Sequence, residues 1–395
     1  MRIGETIYLD HQATTPVDRR VLAEMLPYYT DSFANPHSLD HKPGWDSARA
    51  VEISAEQVAR LVGADSDEII FTSGATESNN MALLGLGRRA AGGNRNRILV
   101  SATEHKCVLA VGRVLEEQYG YAVEEIPVDH QGFVEIKNLE QLIDDDVLVV
   151  SILAVNNEIG TIQNIESISR TVRKYGAVFH CDAAQAPIAM PTGSFAKYAD
   201  ILSLSGHKMY GPKGIGAVII ARGLQAQLEP LIYGGGQQNG LRSGTVPVPL
   251  CVGMGVAADL LTGKDADETR KELRRRRDLF VKRLKESSWR VSENGPQGDA
   301  RHPGNASICF ADFSAHDILG ALQPRLAASM GSACTSGIPE PSHVLRAIGL
   351  DQDAAEASVR FSLGFSTTDE DVEEAVDLIG AVLERLSKAE LMRSA

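Results

Sequence analysis

The sequence is poor in the features that mark secreted, membrane-embedded and nucleic-acid-binding proteins. Its five cysteines are odd in number, lie far apart and include no Cys-x-x-Cys pair, which argues against a disulfide framework or a zinc site made by sequence neighbours. A net charge of −13 argues against a broad nucleic-acid surface. No apolar run approaches the ~20 residues that span a bilayer, and the first residues lack a signal-peptide pattern. We therefore expect a cytoplasmic protein that acts without a membrane and without direct contact to nucleic acid.

The composition is that of an ordinary globular protein. The chain has 395 residues, of which 43% are hydrophobic and 23% charged, enough for two or three domains with large cores. One basic run, at 271–285, stands out. Because Leu273, Phe280 and Leu284 recur there at helical spacing, it predicts a helix with a solvated basic face rather than a binding patch.

Short apolar runs alternate with helical patterns through the middle of the chain, which predicts an α/β fold with a mostly parallel sheet. Most runs lack polar alternation, as expected for strands covered on both faces by helices. A helix at Asp46–Val62, followed by Gly63, precedes the first strand. The predicted strands are Glu68–Thr72, Arg97–Ser101, Val147–Ile152, Val178–Asp182, Ile201–Ser205 and Gly216–Ala221.

The pattern changes near residue 260. A charged helix at about 264–287 leads into shorter strand-like pieces, and an amphipathic helix covers Asp369–Leu391. We interpret this part as a second, smaller α+β domain. Its predicted strands are Asn305–Phe310, Leu326–Met330 and Ser358–Ser362.

A lysine and an acid follow two of the predicted strands. Lys208 comes after Ile201–Ser205 and before a glycine-rich turn, and Asp182 ends Val178–Asp182. Ligands of such sheets bind at the carboxyl ends of the strands. There the lysine can take the aldehyde of a pyridoxal ring, while the acid keeps the ring nitrogen protonated. A lone loop lysine is normally a surface residue, so this hypothesis depends on the other strand ends.

Polar residues occupy the other strand ends as well. Ser73–Ser78 begins a helix, where free N–H groups and the hydroxyl of Thr76 can bind a phosphate, although a plain N-cap explains the pattern equally well. His105 can stack on a flat ring and transfer protons. The amides in 156–158 and Gln185 can bind a ring oxygen or an amino acid, or act as loop hydrogen-bonders. Their occurrence at every strand end favours one shared site.

Two further residues lie in the second part of the chain. Cys334 is embedded in small residues, Ser329–Gly337, which predicts a thiol presented as a nucleophile. Arg360, among apolar residues, can bind a substrate carboxylate with two hydrogen bonds or form an internal salt bridge. The remaining cysteines are predicted to be buried filler, namely Cys107, Cys181, Cys251 and Cys309.

Taken together, these residues give a chain that resembles the cysteine desulfurases of the class V aminotransferase group, in particular the subgroup with a long catalytic loop. The most specific motifs are Ser205-Gly-His-Lys208 and Gly331-Ser-Ala-Cys-Thr-Ser336. These enzymes use pyridoxal 5′-phosphate (PLP) and have fold type I. The other matching segments are Tyr8–Pro16, Asn35–Ser38, Thr72–Asn79, Thr103–Lys106, Val155–Gly160, Asp182–Gln185, Arg242–Thr245 and Arg360–Gly364.

The resemblance implies a large domain with a mostly parallel seven-stranded sheet and a smaller α+β domain. We predict the large, PLP-binding domain at 16–259. The small domain would comprise 1–15 and 260–395 and carry the catalytic cysteine loop at about 329–341.

The resemblance also implies a role for each cofactor residue. Lys208 would bind the PLP aldehyde and later move protons. Asp182 would pair with the pyridine nitrogen, His105 would stack on the ring, and Gln185 would bond its phenolic oxygen. The phosphate would be held by Ala75, Thr76, Ser205 and His207, with Thr245 from the other subunit of a homodimer.

The implied reaction is removal of sulfur from L-cysteine. Asn157 and Arg360 would orient the amino acid, and Cys334 would attack its sulfur to give L-alanine and an enzyme persulfide. The persulfide would pass to an acceptor such as an iron–sulfur scaffold protein. No intrinsic metal site is implied, although Cys334 can ligate an iron–sulfur cluster transiently together with a scaffold partner.

The sequence departs from the commoner family pattern at Gln237–Asn239, at Phe365 and at Ala186–Met190. These departures leave the acceptor open between cluster assembly, tRNA thiolation and DNA sulfur modification. The alternative functions are a selenocysteine lyase, another class V aminotransferase, or a non-catalytic binding module. The setting of Cys334 argues against a transaminase, and the complete set of site residues argues against a binding module.

Overall fold

The computed structural model describes residues 1–331 and 342–394. Its strands are β1 (Arg2–Ile3), β2 (Thr6–Tyr8), β3 (Ile69–Thr72), β4 (Arg97–Ser101), β5 (Ala122–Ile126), β6 (Val147–Ser151), β7 (Val178–Asp182), β8 (Ile201–Ser205), β9 (Gly216–Ile220), β10 (Val291–Glu293), β11 (Asn305–Phe310), β12 (Leu326–Ala327) and β13 (Ser358–Ser362). Its helices are α1 (Arg19–Met25), α2 (Pro27–Thr30), α3 (Lys42–Val62), α4 (Ala75–Ala90), α5 (Lys106–Tyr119), α6 (Ile136–Leu142), α7 (Ile165–Lys174), α8 (Ala186–Ala189), α9 (Phe195–Tyr198), α10 (Val248–Leu260), α11 (Lys264–Lys285), α12 (Ala315–Leu322), α13 (His343–Ala347), α14 (Gln352–Glu356) and α15 (Asp369–Ser394).

The largest sheet has seven strands in the order β3-β9-β8-β7-β6-β4-β5. Only β9 runs antiparallel to its neighbours, so the predicted α/β fold with a mostly parallel sheet is confirmed. Strands β3, β6, β8 and β9 are buried along their whole length, which explains their continuous apolar runs. The register pairs Asp182 with Ser203, so the turn that carries Lys208 begins just beyond Asp182.

The apolar pattern gave no signal for β5. This strand lies at the edge of the sheet, pairs only with β4 and is partly exposed. Its glutamates, Glu124 and Glu125, break the apolar run that marks the central strands. An edge strand needs only one covered face, and charged side chains there discourage further strand pairing.

Helix α3 begins at Lys42, four residues before the predicted start. His41 caps it by accepting a hydrogen bond from the N–H of Gly44, and Gly63 ends it in the left-handed conformation (φ 75°). Helix α11 buries Leu273, Phe280 and Leu284, as its spacing predicts. Within residues 1–331 and 342–394, no helix combines the length and apolar character needed to cross a membrane.

The strands outside the large sheet form two small sheets. Strand β11 lies between β10 and β13, and all three are antiparallel. Strand β2 pairs with β1 and, in parallel, with β12, so the N-terminus joins the C-terminal part of the chain. One hydrophobic core continues from the large sheet to these strands, and includes Ile7, Phe71 and Phe361. The domain limits at 16 and 260 stay predictions.

Candidate active site

One cavity of about 540 Å³ lies at the carboxyl ends of the large sheet's strands. Its volume is typical of a small-molecule site. It brings together all the predicted site residues except two: Thr245 is exposed and does not line it, and Cys334 lies outside the described residues. The predicted residues that line the cavity are Ala75, Thr76, His105, Asn157, Asp182, Gln185, Ser205, His207, Lys208 and Arg360.

Lys208 lies in the short helical turn that follows β8. Its Nζ donates to the carbonyl oxygen of Ala13, at 2.8 Å, and to that of Gln12. The N-terminal segment 12–14 therefore forms one wall of the cavity against the lysine. The lysine is held by polar contacts rather than projecting into solvent, in contrast to an ordinary surface lysine.

Asp182 is buried at the end of β7. The Nδ2 of Asn79 donates to its Oδ2 at 2.7 Å, and the N–H of Ala184 donates to its Oδ1 at 2.9 Å. A carboxylate has about four lone-pair sites, so each oxygen can still accept from a bound ligand. The contact between Asn79 and Asp182 was not predicted, because the two residues are 103 positions apart in the chain.

His105 caps α5, and its Nδ1 accepts a hydrogen bond from the N–H of Cys107 at 3.2 Å. Burial lowers the pKa of this imidazole, although the nearby Asp182 carboxylate acts in the opposite direction. With Nδ1 as acceptor, the neutral ring carries its proton on Nε2.

The prediction that Cys107 is buried filler is wrong. Its side chain is half-buried, lines the cavity, and places Sγ 3.0 Å from Nδ1 of His105. The apolar neighbours in the sequence pointed to the core, but α5 turns its first residues toward the cavity. Burial raises the pKa of this thiol to about 12, so it stays protonated at neutral pH. Three other cysteines are buried as predicted, namely Cys181, Cys251 and Cys309.

His207 is also neutral. Burial lowers its pKa to about 4, and the positive charges of Lys208 and Lys213 contribute. Its Nδ1 lies 3.1 Å from the hydroxyl of Thr14. The imidazole therefore offers a hydrogen bond here but no positive charge.

The first turn of α4 forms the anion-binding end of the cavity. The backbone N–H groups of Ala75 and Thr76 belong to the helix N-terminus, where no intrahelical acceptor exists. Glu77 accepts a hydrogen bond from the N–H of Ser73 at 2.7 Å and forms an ion pair with Arg242 at 2.8 Å. This pair neutralises the only acidic side chain of the first turn, which favours binding of an anion.

Arg360 lies on β13 and lines the cavity. It forms the internal salt bridge that the sequence left as an alternative, with Nη2 2.7 Å from Oδ1 of Asp10. Its Nη1 donates to the carbonyl oxygens of Asn157, at 2.7 Å, and Gly331, at 3.3 Å. Only Nε has no partner among the described residues.

The structure distinguishes the two adjacent amides. Asn156 is buried, and its Oδ1 accepts from the N–H groups of Glu158 and Ile159 at 2.8 and 2.9 Å, while its Nδ2 donates to Thr103. It therefore shapes the loop. Asn157 is half-buried and lines the cavity, which leaves its amide available to a ligand.

Glu104 is a buried acid that the sequence reasoning missed. It is fully buried, accepts a hydrogen bond from the N–H of Leu153 through Oε1, and has no partner for Oε2 within the described chain. Burial raises its pKa well above the usual value, and the charge of Asp182 adds to this. No sequence signal reveals an acid with a raised pKa, since the shift depends on burial.

The three departures from the family pattern pack within the chain. Gln238 bonds both the N–H and the carbonyl of Phe71, at 2.7 and 2.9 Å, and so extends the edge of β3. Phe365 stacks on Tyr210 with ring centroids 4.8 Å apart. The segment at Ala186–Ala189 forms the buried helix α8. None of them lines the cavity.

The aminotransferase class-V family pattern matches residues 7–375 of this chain. Similar relatives include the cysteine desulfurase IscS of Rickettsia akari (strain Hartford), which is 44% identical over 385 residues, 97% of this chain and 92% of that protein. A solved structure of a NifS-like protein gives a TM-score of 0.88 at 34% identity and covers 98% of this chain and 100% of that chain. A structure of SspA in complex with cysteine gives a TM-score of 0.78 at 36% identity and covers 90% of this chain and 98% of that chain.

Proposed function

This chain belongs to the aminotransferase class-V family, its relatives identify it as a cysteine desulfurase, and we propose that Lys208, Cys334 and PLP carry out its reaction. The substrate is L-cysteine, and the products are L-alanine and a persulfide on Cys334. The observation that supports this most strongly is the convergence of Lys208, Asp182, His105 and the α4 N-terminus on one cavity.

The residues present fit PLP. The cavity offers a lysine amine, a buried acid with lone pairs left over, and a helix N-terminus for the phosphate. Buried polar atoms without a partner among the described residues also belong to side chains that line it, as in Asn79 Oδ1 and Arg360 Nε. Such atoms normally find a partner, so they favour a polar ligand. When bound, PLP supplies an electron sink that stabilises negative charge beside the substrate nitrogen.

On the cofactor side, Lys208 would bind the aldehyde of PLP and would afterwards move a proton. Asp182 would hold the ring nitrogen in its protonated form. His105 would stack on the ring, and its lowered pKa keeps the imidazole neutral near neutral pH. Gln185 would bond the phenolic oxygen, and the phosphate would be held by Ala75, Thr76, Ser205 and His207.

On the substrate side, Asn157 and Arg360 orient the amino acid. The thiolate of Cys334 attacks the substrate sulfur, a new sulfur–sulfur bond forms, and the carbon–sulfur bond breaks. The electron pair of that bond stays with the carbon, which takes up a proton to become the methyl group of L-alanine. The persulfide sulfur then passes to an acceptor such as an iron–sulfur scaffold protein.

We also propose a cytoplasmic homodimer in which Thr245 of one subunit completes the phosphate site of the other. Exposed large apolar side chains within residues 29–45 support the dimer: Tyr29, Phe33, Leu39 and Trp45 are 55%, 74%, 78% and 56% exposed. Monomeric proteins rarely expose such clusters, and a second subunit would cover them.

An absorption spectrum tests the lysine assignment. Adding PLP to the apo-protein should produce a new band that reports covalent attachment, and Lys208→Ala should abolish it. Lys213→Ala is the matched control, since Lys213 lines the same cavity and should leave the band intact. Retention of the band in Lys208→Ala would remove the central assignment.

A second experiment tests the nucleophile. Cys334→Ser should still bind L-cysteine but form neither persulfide nor L-alanine. Cys107→Ser removes the thiol that lines the cavity and should form both products. Persulfide and alanine formation by Cys334→Ser at the rate of the unsubstituted enzyme would show that the nucleophile is misassigned.

A further inference from the structure

We propose that the side-chain amide of Gln12 binds the carboxylate of the amino-acid substrate, with Nε2 as the donor, beside Arg360. The inference rests on the proposed function insofar as the ligand is an amino acid. It adds a binding residue that the sequence motifs did not assign.

The orientation of the Gln12 amide is fixed from outside the cavity. Arg301 is fully buried and has only donors, and its Nη1 donates to Oδ1 of Asn305 at 2.8 Å. The Nδ2 of Asn305 must therefore be the donor to the carbonyl of Glu158, at 3.0 Å, and to Oε1 of Gln12, at 2.7 Å. A reversed Gln12 would bring two donors together. These hydrogen bonds therefore orient the amide so that Nε2 of Gln12 faces away from Asn305.

Nε2 is the one polar atom of Gln12 without a partner among the described residues. The N–H of Gln12 donates to the hydroxyl of Ser362 at 2.9 Å, and its carbonyl accepts from Lys208 and from Gln185. The residue is only 2% exposed and lines the cavity. A buried amide without an acceptor costs free energy, so the geometry calls for an acceptor from a ligand.

The location favours the substrate carboxylate over the cofactor phosphate. Gln12 bonds Ser362, two residues beyond Arg360, and Asp10, two residues before Gln12, forms the salt bridge with Arg360. The phosphate end of the cavity instead lies at the start of α4, around Ala75.

Arg360 also leaves room for a second donor. Three of its five N–H groups bond Asn157, Gly331 and Asp10, and Nε has no partner among the described residues. A carboxylate has about four lone-pair sites, so it can accept from the guanidinium and from a further donor at the same time. The amide of Gln12 supplies the second donor without breaking the salt bridge to Asp10.

Binding of two matched ligands to the PLP-loaded protein tests the proposal. L-Alanine carries the carboxylate, and ethylamine is the same molecule without it. By calorimetry, Gln12→Leu should bind L-alanine about 10- to 100-fold more weakly, as expected for a lost hydrogen bond to a charged group, and ethylamine as before. The PLP absorption band should not change. Equal weakening for both ligands, or for neither, would overturn the proposal.

Asn305→Asp tests the fixed orientation through a residue that does not line the cavity. Aspartate keeps an acceptor for Arg301 but has no donor for Gln12, so the amide should turn and present its oxygen to the substrate. Binding of L-alanine should weaken while binding of ethylamine is unchanged, and unaltered L-alanine binding would contradict the inference.

Gln163→Leu is the matched control, since both ends of this buried glutamine are bonded elsewhere, to Gly132 and Val134. It should bind both ligands normally. Should the unsubstituted protein take up no PLP at all, the proposed function would fail as well. If PLP uptake is normal and Gln12→Leu shows no selective loss of L-alanine binding, only the role proposed for Gln12 would be rejected.

Discussion

The two sides of the cavity are assembled in different ways. The cofactor side uses the ends of neighbouring parallel strands, so Asp182 and Lys208 are only 26 residues apart in a continuous alternating pattern. The substrate side joins distant parts of the chain: Arg360 and Asp10 are separated by 350 residues, and Asn305 and Gln12 by 293. Local pattern thus places the first side, whereas long-range packing builds the second.

The two sides also differ in the buried atoms that they leave without a partner within residues 1–331 and 342–394. On the cofactor side, Oδ1 of Asn79 is an acceptor, and Asp182 retains lone pairs. On the substrate side, Nε2 of Gln12 and Nε of Arg360 are donors. Acceptors suit a protonated ring nitrogen, and donors suit a carboxylate, so the cavity matches the two ends of the bound species separately.

The largest effect is expected on the cofactor side, from Asp182→Asn. Loss of the charge that holds the ring nitrogen protonated should reduce the rate of alanine formation from L-cysteine by roughly 10²- to 10³-fold, as removal of a preorganised electrostatic group typically does. Steady-state kinetics at saturating L-cysteine would measure it. Asp200→Asn, immediately before β8 and away from the cavity, should have little effect. A near-normal rate in Asp182→Asn would contradict the role of Asp182 on the cofactor side and, with it, the functional difference between the two sides.

A smaller and different effect is expected on the substrate side, from Arg360→Met. Loss of charge-assisted hydrogen bonds should lower kcat/KM for L-cysteine by about 10- to 100-fold, mainly through a higher KM. Arg277→Met removes another buried arginine, one that does not line the cavity, and controls for destabilisation. A fall in kcat with unchanged KM would place Arg360 with the chemical step instead.

The smallest effect is on stability, from Glu104→Gln beside the cofactor side. A folded-state pKa above the unfolded value gives stability that is present below pH ~4.5 and is lost as pH rises toward the folded pKa. Glutamine keeps the acceptor for Leu153 and does not titrate. As the pH rises through that range, the free energy of unfolding of Glu104→Gln should therefore increase relative to that of the unsubstituted protein by about 1.4 kcal/mol per pH unit.

Urea unfolding at several pH values between about 5 and 8 would measure this difference. The exposed Glu5→Gln should show no such trend. A difference between Glu104→Gln and the unsubstituted protein that stays constant with pH would mean that Glu104 is ionised in the folded state.

The sequence predicted six of the seven strands and the residues at their ends, since buried strands leave continuous apolar runs and their carboxyl ends share one edge. It did not predict β5, because an exposed edge strand carries charged residues. Cys107 was misjudged for a related reason: apolar neighbours indicate burial, but not which end of a helix borders a cavity. The roles of Thr245 and Cys334 stay predictions.

The sequence by itself determined the α/β architecture and the pairing of an acid with a lysine on one edge of the sheet, because strand periodicity and chain order suffice for both. Only the tertiary structure decided which way the amide of Gln12 faces, that burial raises the pKa of Glu104, and which N–H groups of Arg360 are bonded within residues 1–331 and 342–394. These properties depend on burial and on hydrogen-bond partners hundreds of residues away. A local sequence pattern predicts neither the burial nor the hydrogen-bond partners, because both arise only when distant segments pack together.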